Sequence, residues 1–239
     1  MKKSYIVILL AGFLLSAVGF GFMQIFASEK EEELVIEKDR AKQLDVKMEF
    51  GAGEFTLSGG SKEWITGSAN YNHRKLKPKI EYKQKNDRGV VKVVQNEGIN
   101  FGFNNFRNLH NSWDLQLTDE IPVNLDVDLG ATEALLDLRG VQLHSLNIDS
   151  GVGDSTLDLS GEPKNSYKAK IDMGVGDLTI YVPESYGVKV SAEKGLGQVN
   201  VPNLISQGNG IYVNEAYNGK DFIELTIDMG VGNVDVLMK

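Results

Sequence analysis

Six copies of one short segment, each built around a Gly-x-Gly turn, constrain this chain more than any other feature. LDVKMEFGAGEFTLSG begins at Leu44, LNIDSGVGDSTLDLSG at Leu146, AKIDMGVGDLTIYVPE at Ala169, VSAEKGLGQVNVPN at Val190 and LTIDMGVGNVDVLMK at Leu225. A degenerate copy, LDVDLGATEALLDLRG from Leu125, has Thr132 in place of the second glycine. The first glycines are Gly51, Gly130, Gly151, Gly174, Gly195 and Gly230, spaced 79, 21, 23, 21 and 35 residues apart. Three successive intervals of 21 to 23 residues are the signature of a solenoid.

Each copy reads as a short strand, a glycine kink and a second short strand. Alternation puts Leu146 and Ile148 on one face before the bend and Leu157 and Leu159 on one face after it, with Asn147, Asp149 and Asp158 turned away. One unit cannot bury such a face alone. Stacked copies, about 4.8 Å apart, merge their apolar rows into one core. The glycines supply positive φ or close backbone approach at the corner. The expected fold is therefore all-β: a single-domain, β-solenoid-like stack of strand-turn-strand repeats over residues 44–239, with no helix required.

Two stretches interrupt the repeat. Between the first two turns, Trp64 to Tyr71, Lys79 to Lys85 and Val90 to Gln95 read as strands, with Asn86-Asp87-Arg88-Gly89 as a tight turn, so an antiparallel meander is expected to lean on the first copy. Near the end, IYVNEAY and KDFIELTI flank Asn218-Gly219, a dipeptide suited to a two-residue hairpin.

The N-terminus sets the compartment. Tyr5 to Ala27 is free of charge over 23 residues, long enough to cross a bilayer as a transmembrane helix. Lys2 and Lys3 precede it and Glu29, Glu31, Glu32 and Glu33 follow, so the positive-inside rule places the bulk of the chain outside the cytoplasm. Residues 1–27 are read as a membrane anchor, or as a signal peptide cleaved after Ala27. The apolar region exceeds the usual 7 to 15 residues of a signal peptide, which favours the anchor. Both readings export the domain. Residues 28–43 read as a charged juxtamembrane tether, with Glu31 to Glu33 a solvated acidic run.

Charge and composition narrow the function. The net charge of -8 argues against a nucleic-acid partner, since phosphate binding needs clustered Lys and Arg. The chain has no cysteine, which removes disulfides, thiolate nucleophiles and Cys zinc sites. The Gly-x-Gly turns are not followed by a helix N-terminus, so they lack the setting of a phosphate cradle. His73, His110 and His144 stand far apart, and neither His-Glu-x-x-His nor Gly-x-Ser-x-Gly occurs. No catalytic residue, metal site or cofactor is expected.

Two features remain as candidates. Glu49, Asp128, Asp149, Asp172, Glu193 and Asp228 stand two residues before the first glycines, and Glu54, Glu133, Asp154, Asp177, Gln198 and Asn233 three residues after them. In a stack these become columns of like charge. Such a column has the ligand chemistry for Ca²⁺, but acids on an outward strand face also keep a sheet soluble, and the Gly-Gly-x-Gly-x-Asp pattern of calcium-binding β-helices is missing. The second candidate is GINFGFNNFRNLHNSW, from Gly98 to Trp113. There Phe101, Phe103, Phe106, Arg107 and Trp113 are expected either to form an exposed contact for a partner or to cap the open end of the stack.

The segments WDLQL from Trp113, IPVNLDV from Ile121, LLDLRGVQLHSLNIDSGVGDSTLDL through Leu159, and VKMEFGAGEFTLSGG from Val46 resemble the bacterial toast-rack family. That family is related to the C-terminal domain of LiaF-type cell-envelope-stress proteins and to β-solenoid adhesins. The resemblance covers residues 40–239 and rests on strands and glycines, so it speaks to architecture more than activity. It implies an extracytoplasmic, non-enzymatic interaction or sensory module of the response to cell-wall-active antibiotics. The implied partners are an envelope or membrane protein such as a sensor-kinase system, or a cell-wall polymer. LiaF-type proteins carry several membrane helices where this chain has one apolar run, and no functional residue transfers from the family. A cation-stabilised surface adhesin and a polysaccharide-active β-helix enzyme are the alternative classes.

Overall fold

The computed structural model describes residues 30–95 and 109–239. The apolar run Tyr5–Ala27 and the loop residues Phe101, Phe103, Phe106 and Arg107 lie outside the described residues. Among the described residues no helix is long and apolar enough to cross a membrane.

The described chain is all-β apart from one 3-10 turn, Arg74–Leu76. The six copies form β2 (Gln43–Ser61), β7 (Val123–Asp137), β8 with β9 (Leu143–Val152 and Ser155–Asp158), β10 (Tyr167–Val182), β11 (Gly187–Asn200) and β14 (Phe222–Met238). All pair in parallel, in the order β2-β7-β8/β9-β10-β14-β11. The last copy is thus inserted between the fourth and fifth, a departure from a simple solenoid.

Each copy bends at its glycines because the inward parity slips there. In β2 the buried residues are Leu44, Val46, Met48 and Phe50 before the kink, then Phe55 and Leu57 after it. The two halves fold over a shared core. Phe50 and Phe55, on opposite sides of the kink, touch with ring centroids 5.5 Å apart. Each fully buried Val, Leu, Ile or Met contributes roughly 1.5–3 kcal/mol, so the stacked rows are the main source of stability.

The two glycines of a turn serve different purposes. A Cβ on the first, Gly174, would lie 2.5 Å from the carbonyl oxygen of Gly151 in the next rung. The second, Gly176, has φ +145, and its Cβ would lie 1.9 Å from the carbonyl oxygen of Gly153. The first position needs close approach alone; the second needs positive φ as well.

The flanking strands differ from a single meander. β1 (Lys30–Ile36), β3 (Ile65–Tyr71) and β6 (Asn111–Thr118) form antiparallel neighbours, and β6 joins the second half of β2. The hairpin of β4 (Pro78–Lys85) and β5 (Arg88–Gln95) joins the first half of β2 instead. Residues 30–36, expected as part of a solvated tether, are a sheet strand with Glu32, Leu34 and Ile36 buried. Tyr71 and Lys77 make the glutamate tolerable there: the tyrosine hydroxyl donates to it at 3.0 Å and Lys77 Nζ lies 3.1 Å away. Burial and that glutamate push the Tyr71 hydroxyl up to about 12.

The expected hairpin at Asn218-Gly219 is not formed. β13 (Ile211–Val213) pairs with β12 (Ile205–Gly208) and β11, around Asn209-Gly210, whose φ values of 52 and 73 are both positive.

Candidate interaction surface

The register places the residue after the first glycine of each copy in one row, half-buried at Ala52 and exposed from Ala131 on: Ala52, Ala131, Val152, Val175, Val231 and Leu196. Side-chain size grows along it. Val152, Val175, Val231 and Leu196 are 54%, 46%, 45% and 71% exposed, and they account for four of the six large exposed hydrophobics among the described residues. At about 4.8 Å per rung, they make a narrow apolar ridge along the kinked edge of the stack. The alternation of the strands does not bury them, because the kink turns this position outward.

Acids flank the ridge on both sides, as the spacing in the sequence predicts, but the two columns are built differently. Three residues after the first glycines, carboxylates accept backbone amides from the next rung. Asp177 N–H donates to Asp154 Oδ1 at 3.0 Å, and Asn233 N–H donates to Asp177 Oδ1 at 3.0 Å. Asp154 and Asp177 thus satisfy amides where the kink disturbs the ladder, which gives these two acids a structural role.

The other column runs Glu49, Asp128, Asp149, Asp172, Asp228 and Glu193 in register. Lys47 lies 3.0 Å from Glu49 and 3.1 Å from Asp128, and Lys170 pairs with Asp172. Hydrogen bonds that the Lys47 ammonium donates to Glu49 and Asp128 raise its pKa. Asp149, Asp228 and Glu193 have no ion pair among the described residues. The acids left without an ion pair stand on the rungs of Val152, Val231 and Leu196, while one lysine bridges the two acids of the alanine end and Lys170 pairs the acid of the Val175 rung.

The candidate aromatic site divides. Trp113 is 1% exposed and packs edge-on against Phe50 at 5.0 Å, so it belongs to the core and does not offer a contact to a partner. Its segment alternates Trp113, Leu115 and Leu117 inward, a pattern that fixes its orientation. Asp158, read from alternation as turned outward, is 7% exposed. Lys239 lies 2.8 Å from it and Arg139 3.5 Å, and Ser160 donates through its N–H at 2.9 Å. A distant lysine folding over Tyr181 covers the carboxylate.

A shallow groove on the outer first-half face is lined by Asp45, Lys47, Lys92, Asn124, Asp126 and Asn147. Burial, then the charge of Asp128, raises the Asp126 carboxyl above the usual range. The groove lies open to solvent, whereas general-acid chemistry calls for a carboxyl held in a closed, desolvated cleft. Among the described residues no three His, Asp or Glu side chains come close enough to hold a metal ion.

Residues 25–181 match the family profile described as the N-terminal domain of toast_rack. Residues 137–236 match a second profile, described as cell wall-active antibiotics response LiaF, C-terminal. No curated protein matches the sequence. Among solved structures, a candidate cell adhesion protein from Clostridium sporogenes is 36% identical, with a TM-score of 0.86, over 89% of this chain and 100% of that one. A candidate adhesin from Bacteroides fragilis is 12% identical, with a TM-score of 0.26, over 88% of this chain and 99% of that one.

Proposed function

The chain belongs to the toast-rack family, and from that premise we propose that it is a non-enzymatic, membrane-anchored module outside the cytoplasm that docks an envelope protein in the cell-envelope stress response. The match of residues 137–236 to the cell wall-active antibiotics response profile supports the physiological setting. The observation that carries the reading is the ridge of Val152, Val175, Val231 and Leu196 beside the unpaired acids Asp149, Asp228 and Glu193. An apolar row with an acidic border fits a partner segment that alternates apolar residues with Lys or Arg. A juxtamembrane stretch of an integral membrane protein, such as a sensor kinase, has that chemistry.

The test is capture from envelope membranes by the full chain and by Val175→Ser with Leu196→Ser. Both side chains are exposed, so the variant keeps its fold; recovery of a membrane protein by the wild type and its loss with the variant support the reading. Equal recovery by both removes the ridge from the mechanism. A second reading, surface adhesion, is favoured by the description of the Clostridium sporogenes protein. It predicts that the ridge variant still captures the membrane protein but no longer binds purified cell wall.

A further inference from the structure

Residues 74–92 hold eight of the 25 Lys and Arg side chains of an acidic protein, against two acids, Glu81 and Asp87. Edge protection accounts for part of this. β4 is an outer strand, and lysines along it discourage pairing with another chain; Lys79 lies 2.7 Å from Glu81, and Arg88 lies 2.9 Å from Asp45. The loop before β4 is different. Arg74 and Lys75, on the 3-10 turn, are exposed and have no acidic partner among the described residues. Lys77, also exposed, reaches back to the buried Glu32 of β1.

The topology puts this loop at a particular place. Lys30 is paired with Tyr71, and Tyr71 with Asn111, whose side-chain amide donates to the Ala52 carbonyl at 2.8 Å. At the other end of the loop, Pro78 is paired with Gln95, which accepts from the Gly51 N–H at 2.9 Å. The loop therefore crosses the Gly-x-Gly edge at the β2 end of the stack. It lies beside Lys30, where residues 1–29 join the sheet. The uncharged run ending at Ala27 is three positions away, a reach of about 10 Å at full extension. That is on the order of a Debye length at physiological salt.

We propose that Lys30, Arg74 and Lys75 rest on an anionic phospholipid surface, so that the domain stands on the bilayer at the β2 end of its stack, with the unpaired acids Asp149, Asp228 and Glu193 held away from the surface on later rungs. This rests on the membrane-anchored part of the reading above and adds the orientation. A cation this close to an anionic leaflet gains roughly a fivefold preference over a neutral one. Three of them, beside a Lys77 that is already held by Glu32, select one end of a protein that is otherwise repelled by the same surface. The consequence for the ridge is that it rises from the bilayer rung by rung, with Val152 two strands and Leu196 five strands from β2.

The test uses the full chain in nanodiscs, with hydrogen exchange read over residues 72–79. Discs of phosphatidylcholine alone are compared with discs containing phosphatidylglycerol. Exchange several-fold slower in the anionic discs, and restored to the neutral-disc rate by Arg74→Gln with Lys75→Gln, is the expected result. Glycerol phosphate added to neutral discs is expected to change nothing; protection by it makes the loop a site for a free anion and overturns the proposal. Equal exchange in both lipids overturns it too, as does failure of the chain to enter discs at all. The Val175→Ser with Leu196→Ser variant keeps the lipid effect, so loss of partner capture and loss of lipid contact are separable.

Discussion

Val231 stands beside Val175 in adjacent parallel strands, although 56 residues separate them in the chain. β14 thereby fills the place between β10 and β11, and neither neighbour has a sheet partner on that side without it.

Deleting residues 222–239 is therefore expected to remove an interior rung rather than a terminal one. A terminal loss from a solenoid leaves the rest folded. Here the cooperative melting transition should disappear and the chain should aggregate through the opened edge of β10. A sharp transition retained in circular dichroism would contradict the insertion.

Gly176→Ala should destabilise by about 3 kcal/mol, because the substitution adds strain at positive φ to a collision with the Gly153 carbonyl. Gly219 is the control. Its φ is +75 but nothing lies within 4 Å of an added Cβ, so Gly219→Ala should lower stability by about 1 kcal/mol. Chemical denaturation of the two variants measures the difference.

Asp126 has its folded pKa raised, first by burial and then by Asp128. An acid of this kind weakens the folded state when ionised, at pH above both its folded and unfolded values. Asp126→Asn should raise the melting temperature at pH 7, and the gain should vanish as the pH falls below the ordinary carboxylate range. Melting curves from pH 7 to 3 provide the check.

Asp158 behaves in the opposite sense. Burial pushes its pKa up, but hydrogen bonds from Lys239 and Ser160 outweigh it and hold the carboxyl below its usual value. Its stabilisation is complete above the unfolded pKa and is lost as pH falls through the folded one. Asp158→Asn should lower stability at pH 7 by about 1–3 kcal/mol, with the deficit shrinking in acid.

Much of this fold is legible in the residue pattern, because alternation and the glycine spacing are local properties. They give the kinked strands, the shared core and the register of both acid columns. The order of the rungs is not local. A signal for it exists all the same: the Val190 copy has Lys194 just before its first glycine, Gln198 and Asn200 in its second half, and few large inward side chains, as suits an outer rung. Two Asn-Gly dipeptides compete for the hairpin, and Asn209-Gly210 wins because short strands flank it closely on both sides. β1 is obscured by its run of three glutamates, although Glu32, Leu34 and Ile36 already share a face. The exposed ridge escapes the pattern entirely, since an apolar residue between two glycines looks like one more core position. Only the kink, which turns that position out, makes it a surface.

β1 begins at Lys30 and is locked along its length to β3, from Lys30 against Tyr71 to Ile36 against Ile65. A pull applied at Lys30 along the strand axis then loads this whole ladder in shear. Such a joint resists tension better than one that unzips pair by pair, and it transmits tilt of an attached segment straight into the body of the protein.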